Sequence, residues 1–403
     1  MRCAPLACVL LIVLSGCAAP ITSGPETDSS ALETQTPSTG PNALPTNESR
    51  VYDRVATLLD SNVSQPSLRT VNASRLGETQ YRLQQPFYSL LLNVSDTTVK
   101  PPAAYYNSDS HEVVVVLHRG VPANATNESR LELVLAHEYA HAMTMNDPRY
   151  RQTMMSSVAD DTTDALQIRR MMKEGTGVYV AEAYADRYLG NVSSIRRLAR
   201  EYRQSRPLMR YVLGPYVFGA RYFDRNLDSP TNLPDVYRRP PETTEQLIHG
   251  YDISEERPAP LDVTVESRNG DTTGQRDTLG ELFVRDMLGG QLDESRAARA
   301  ASGWGNDSIV TVWNYDSNES NQRSYAWTIR WDDERNATEF TRAFAEYMDR
   351  RGQRIGEGKW KAGDRRFRFE RVSDETVVVF IGGADAVNRL SATGTDANVS
   401  VAG

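Results

Sequence analysis

Two imidazoles four residues apart, with a carboxylate directly after the first, can hold a metal ion and handle a proton beside it. The sequence carries that set at His137-Glu138-Tyr139-Ala140-His141. On a helix turning about 100° per residue, His141 lies about 40° round from His137, and Glu138 roughly 60° further on the same arc. All three side chains then address one point, both His as ligands and Glu138 toward a water at the ion. The apolar run Leu131 to Met145 around the motif supplies the helix. With only five His in the chain, the spacing is hard to reach by accident.

A catalytic zinc needs three protein ligands and an open position. Cysteine is excluded as the third by the reading of the N-terminus. Met1-Arg2, an apolar core from Leu6 to Leu14 and Leu14-Ser15-Gly16-Cys17 form a positive segment, a short hydrophobic segment and a small-residue cleavage site. The tetrapeptide resembles a lipobox, which implies that Cys17 is lipidated, becomes the mature N-terminus and anchors the chain to the outer face of the membrane. Cys3 and Cys8 leave with the signal, so neither a disulfide nor a Cys-based zinc site is available. Glu174 is the best third ligand. Its helix carries Gly177, Ala181 and Ala185 on the same face, at spacings of three, seven and eleven, so it can approach the His137–His141 helix closely. Glu182 and Asp186, further along, are rivals, or carboxylates that orient a ligating His.

Composition narrows the partners. The net charge is −8 and Lys occurs only at 100, 173, 359 and 361. An acidic chain lacks the basic footprint that nucleic acid requires. Eleven N-x-Ser/Thr sequons, at Asn47, 62, 72, 93, 124, 127, 191, 306, 318, 336 and 398, suit a glycosylated exterior protein. Acidic, Lys-poor composition is similar to that of haloarchaeal proteins. The sequence is silent about oligomeric state.

The elements that must position these residues follow from periodicity. Residues 1–17 are the signal, and 18–47, rich in Pro, Ser, Thr and Gly, a flexible linker. Val51 to Leu59 and Leu83 to Val94 have helical rhythm. Ala103 to Tyr106 and His111 to Leu117 read as a hairpin ahead of the motif helix, with His111 and His118 as surface or turn residues. Asp164 to Leu189 is a long helix and Arg196 to Tyr202 another. Pro207 and Pro215 punctuate an aromatic stretch, Asp228 to Pro241 reads as loop, and Thr243 opens a helix with a capping signature. Residues 257–302 form a linking strand and helices. Two strands, a helix and two strands then make a small α+β layer over 303–385, and 386–403 is a disordered small-residue tail.

His137-Glu138-Tyr139-Ala140-His141-Ala142, followed by Glu174-Gly175-x-x-x-Tyr179, resembles the gluzincin group of zinc metallopeptidases. Pro215-Tyr216-Val217-Phe218-Gly219, Thr243-Thr244-Glu245-Gln246-Leu247-Ile248-His249 and Gly303-Trp304-Gly305-Asn306-Asp307 extend the similarity to uncharacterised surface lipoproteins of bacteria and haloarchaea. The resemblance covers most of residues 99–345. It implies an α+β fold with a mainly helical zincin-like domain over 48–256. It also implies zinc on His137, His141 and Glu174, with Glu138 as general base toward a peptide or protein substrate. His249, or a Tyr between Tyr211 and Tyr222, would donate to the oxyanion. Two departures stand out. Glu174-Gly175-Thr176-Gly177 replaces the usual Glu-Gly-Asp-Ala. Met145 replaces an Asp, leaving Asp147 as the carboxylate to orient a ligand. The competing reading is a non-catalytic, zinc-containing structural or binding lipoprotein of the cell surface.

Overall fold

The computed structural model describes residues 44–76, 79–81, 86–93, 97–99, 101–118, 121–122, 128–150, 162–190, 193–266, 272–313 and 323–403. Cys17, the expected signal, nearly all of the expected linker and the sequons at Asn124, Asn127, Asn191 and Asn318 lie outside these residues. The fold is α+β. Among the described residues, no helix is long and apolar enough to cross a membrane.

Helices α1 (Glu48–Leu59), α2 (Glu128–Asn146), α3 (Thr163–Tyr188), α4 (Ser194–Gln204), α5 (Pro207–Asn226) and α6 (Thr244–His249) form the first body. A small sheet lies beside it, made of β1 (Ser67–Asn72), β2 (Ala104–Asn107) and β3 (Glu112–His118). β3 runs parallel to β1 and antiparallel to β2. The run Val113 to Leu117 is buried throughout, as its β-branched composition requires. α2 is buried along its whole middle, from Leu131 to Thr144, so it needs no amphipathic face. Of its two buried acidic residues, Glu132 ion-pairs with Arg50 and Arg54 of α1 and accepts from the Tyr184 hydroxyl of α3.

α3 and α5 meet through glycine. A Cβ on Gly175 would lie 2.4 Å from the Gly219 carbonyl carbon, and one on Gly219 would lie 2.1 Å from the Met171 oxygen. Both obstacles are backbone and cannot yield. The aromatic stretch expected to be punctuated by prolines is instead one continuous helix, α5, with Pro207 at its first turn and Pro215 in its interior. Burial from Tyr211 through Ala220 offsets the bond that Pro215 cannot donate. Gly219→Ala is expected to cost about 2 kcal/mol or more in denaturant melts, because overpacking exceeds the ~1 kcal/mol that Ala gains in helix propensity.

The second body is built on a seven-stranded antiparallel sheet. Its strands are β5 (Thr272–Asp277), β6 (Trp304–Trp313), β7 (Arg323–Trp331), β8 (Gln353–Gly356), β9 (Lys359–Ala362), β10 (Arg365–Arg371) and β11 (Thr376–Gly382), in the order β8-β9-β10-β11-β7-β6-β5. On one face lie α7 (Gly280–Leu288), α8 (Glu294–Ala301) and α9 (Glu334–Arg351), packed around Trp327, Trp331, Phe340 and Phe344. Trp331 stacks on Phe340 at 4.8 Å. The opposite face carries Val310, Val378 and Phe380.

Three expectations are corrected here. The tail 386–403 is ordered: β12 (Ser391–Gly394) pairs with β13 (Asn398–Ala402), which runs parallel to β4 (Asp262–Glu266). Val399 and Val401 alternate inward beside Val263 and Val265, so two valines in register suffice to hold a small-residue strand. Residues 257–302 are not a separate link, since β4, β5 and α7 belong to the sheets and core of the second body. Within Asp228 to Pro241, Leu233–Arg238 is helical, with Pro234 in the first turn, where its missing N–H costs nothing.

Candidate metal centre

His137 and His141 project from α2, and Glu174 meets them from α3. The two Nε2 atoms are 2.9 Å apart, and Glu174 Oε2 is 3.4 Å from each. Edges of 2.9, 3.4 and 3.4 Å place the three atoms about 1.9 Å from one common point, against roughly 2.0–2.2 Å for zinc bonded to His nitrogen and carboxylate oxygen. Glu174 Oε2 is buried with no hydrogen-bond partner among the described residues. An inward-aimed carboxylate oxygen left in that state is costly unless a cation meets it. The donor set therefore fits a divalent ion.

The small-residue face of α3 makes this approach possible. A Cβ at Gly177 would stand 2.5 Å from His137 Cε1, so the ring occupies the space a side chain would fill. On its other side, His137 stacks on Tyr216 of α5 at 6.1 Å and 19°. Thr176 meets the Tyr237 hydroxyl, which also donates to the Met172 carbonyl and holds α3 in place beside Glu174.

Electrostatics suit ligation. Burial, then the neighbouring His137, lowers His141 to about 4, so its imidazole is neutral. Burial pushes Glu174 up, but contact with His137 and His141 outweighs it and holds the carboxylate well below its ordinary range. Glu138 is fully buried and raised to about 7, chiefly by burial. The Tyr106 backbone N–H of β2 donates to it, so the hairpin ahead of the motif helix fixes this side chain.

The carboxylates expected to orient a ligand lie elsewhere. Asp147 is taken by the Arg149 guanidinium and backbone N–H. Glu182 caps the start of α4 through Ser193, Ser194 and Ile195. Asp186 is exposed. His141 Nδ1 has no hydrogen-bond partner among the described residues, so none of the three holds it.

His249 falls in a second cluster. Thr243 and Gln246 form the expected capping box at the start of α6. His249 Nε2, at the other end, contacts both Glu281 oxygens, at 3.1 and 2.9 Å. Glu281 follows Gly280, which lies against Asp164, and Asp164 is ten residues, about 15 Å of helix, before Glu174. The structure thus brings His249 to Glu281 rather than to the His137 pair. Sequence reasoning missed Glu281, whose only signal was its place in the first turn of a helix.

The other downstream motif is a structural clasp. Asp307 accepts from the backbone N–H groups of Leu279 and Gly280 and from Trp304 Nε1. Gly280 has φ +83°, and a Cβ there would meet Asp164 Oδ1 at 1.7 Å. Asp164 in turn accepts from Thr244, and Asp277 from Thr163. This buried seam pins the start of α3, and so the Glu174 helix, to the second body.

A family model described as "Domain of unknown function (DUF8575)" matches residues 267–392, the greater part of the second body. No curated protein matches the sequence.

Proposed function

We propose that the chain is an extracytoplasmic zinc-dependent peptidase, tethered to the membrane through lipidated Cys17. The observation that carries this reading is the convergence of His137, His141 and Glu174 on one point, with Glu138 buried beside it. Zinc held by those three residues would supply a Lewis acid that lowers the pKa of water to about 7 and polarises a peptide carbonyl. Glu138, buried beside that point and held by the Tyr106 backbone N–H, would take the proton of the attacking water and pass it to the leaving nitrogen. Tyr216, whose ring stacks on His137, would be the Tyr between Tyr211 and Tyr222 that stabilises the developing oxyanion.

One observation favours a second reading, a non-catalytic metal centre in a cell-surface structural or binding protein. None of the four residues is more than 4% exposed. Metal removal separates the two. The zinc-loaded chain is expected to cleave an unfolded protein at high salt, to stop after chelation and to recover with added zinc. Zinc that raises the melting temperature, without cleavage across a broad substrate panel, would establish the structural reading instead.

A further inference from the structure

We propose that Glu245, His249 and Glu281 form a second divalent-cation site, distinct from the His137 cluster and joining the two bodies of the fold. One ligand atom from each of the three lies within 4.8 Å of the others. Glu245 and His249 are four residues apart on α6, so they share a face, and Glu281 meets them from the first turn of α7. Glu281 is fully buried, Glu245 is 3% exposed and the His249 side chain 23% exposed.

The charge balance points to an absent cation. His249 Nε2 contacts Glu281, whereas the Glu245 carboxylate accepts no hydrogen bond from any described residue. Burial first, then the adjacent Glu281 and the charges of Asp332, Glu256 and Asp164, all disfavour the ionised form of Glu245. Two carboxylates in such surroundings are both ionised only when a positive charge lies between them. A single imidazole that shares its Nε2 with one of them does not supply that charge to both.

The donor set specifies the ion class. Two carboxylate oxygens and one imidazole nitrogen suit a first-row transition cation such as zinc or manganese, whereas calcium and magnesium sites are built from oxygen. Tyr251 stacks on His249 at 5.2 Å and 14°, closing one side of the ring. The location suggests the role. Glu245 and His249 belong to the helical body, while Glu281 lies within the segment 267–392 that matches the domain of unknown function. An ion there is a staple between the two, beside the Asp164–Thr244 seam.

The test counts zinc in the full chain by elemental mass spectrometry after zinc loading and desalting. The expected content is two per chain, falling to one in Glu245→Gln and one in the double variant His137→Ala/His141→Ala, and to none when these are combined. A chain with one zinc that is kept in Glu245→Gln and lost in the double variant overturns the proposal. A single zinc lost only in Glu245→Gln upholds this site and removes the metal centre on which the peptidase reading depends. Folding is monitored by a second measurement. The zinc-dependent rise in melting temperature is expected to persist in His137→Ala/His141→Ala and to vanish when Glu245→Gln is added, whereas a rise that survives the addition counts against the site.

Discussion

Glu138→Gln is expected to leave zinc content unchanged and to lower kcat/KM on a peptide substrate by about 10²–10⁴-fold, the usual contribution of a positioned general base. The substitution keeps shape and volume, so the Tyr106 N–H still finds a carbonyl oxygen to donate to, and none of His137, His141 and Glu174 is altered. What disappears is the ability to take a proton. A second readout tests the physical basis. Burial raises the Glu138 pKa to about 7, above an unfolded value of about 4.3. A raised pKa contributes stability that is complete below the unfolded value and lost as pH climbs through the folded one. In the metal-free chain, Glu138→Gln should therefore gain stability relative to the parent between about pH 4.5 and 7, and hold that gain at higher pH. A difference that is flat with pH would show that the carboxyl is ionised throughout and not tuned for proton transfer.

The first cluster was legible because both of its signals are local. The His137–His141 spacing fixes a shared helical face, and the glycine and alanines after Glu174 mark a helix that approaches another closely. The structure gives the second signal a specific cause, with the His137 ring resting where a Gly177 side chain would be. The features that escaped depend on partners distant in sequence. His249 was legible as a chemical residue, but its partner Glu281 lies 32 positions on, in another body of the fold. Likewise, the strand at Asn398–Ala402 pairs with Asp262–Glu266, more than a hundred residues earlier, and its small residues carry little strand propensity of their own. The downstream motifs that extend the similarity have separate duties. Gly219 lets α5 approach α3, Thr243 caps α6, and Asp307 caps the start of α7. Residue types alone do not tell a buried clasp from a ligand set, since both draw on the same side chains.

Glu174→Ala and Gly177→Ala together decide whether α3 supplies the third ligand, and they are best compared in a Glu245→Gln background so that one site is counted. Glu174→Ala removes a donor whose Oε2 stands 3.4 Å from both imidazoles. The loss in zinc affinity is expected to exceed the 10–100-fold that follows removal of a group merely supporting a ligand. Gly177→Ala leaves every donor in place but sets a methyl group 2.5 Å from His137 Cε1, so the ring must turn away from the common point. Its expected cost is in that 10–100-fold range, while helix propensity gains about 1 kcal/mol and keeps α3 folded. The ranking is the informative part. If α3 carries the ligand, both variants weaken zinc binding, Glu174→Ala the more, with far-ultraviolet circular dichroism unchanged. Zinc bound at the parent's stoichiometry and affinity in Glu174→Ala would place the third donor elsewhere. A loss confined to Gly177→Ala would mean that α3 shapes the pocket for His137 without contributing a ligand to it.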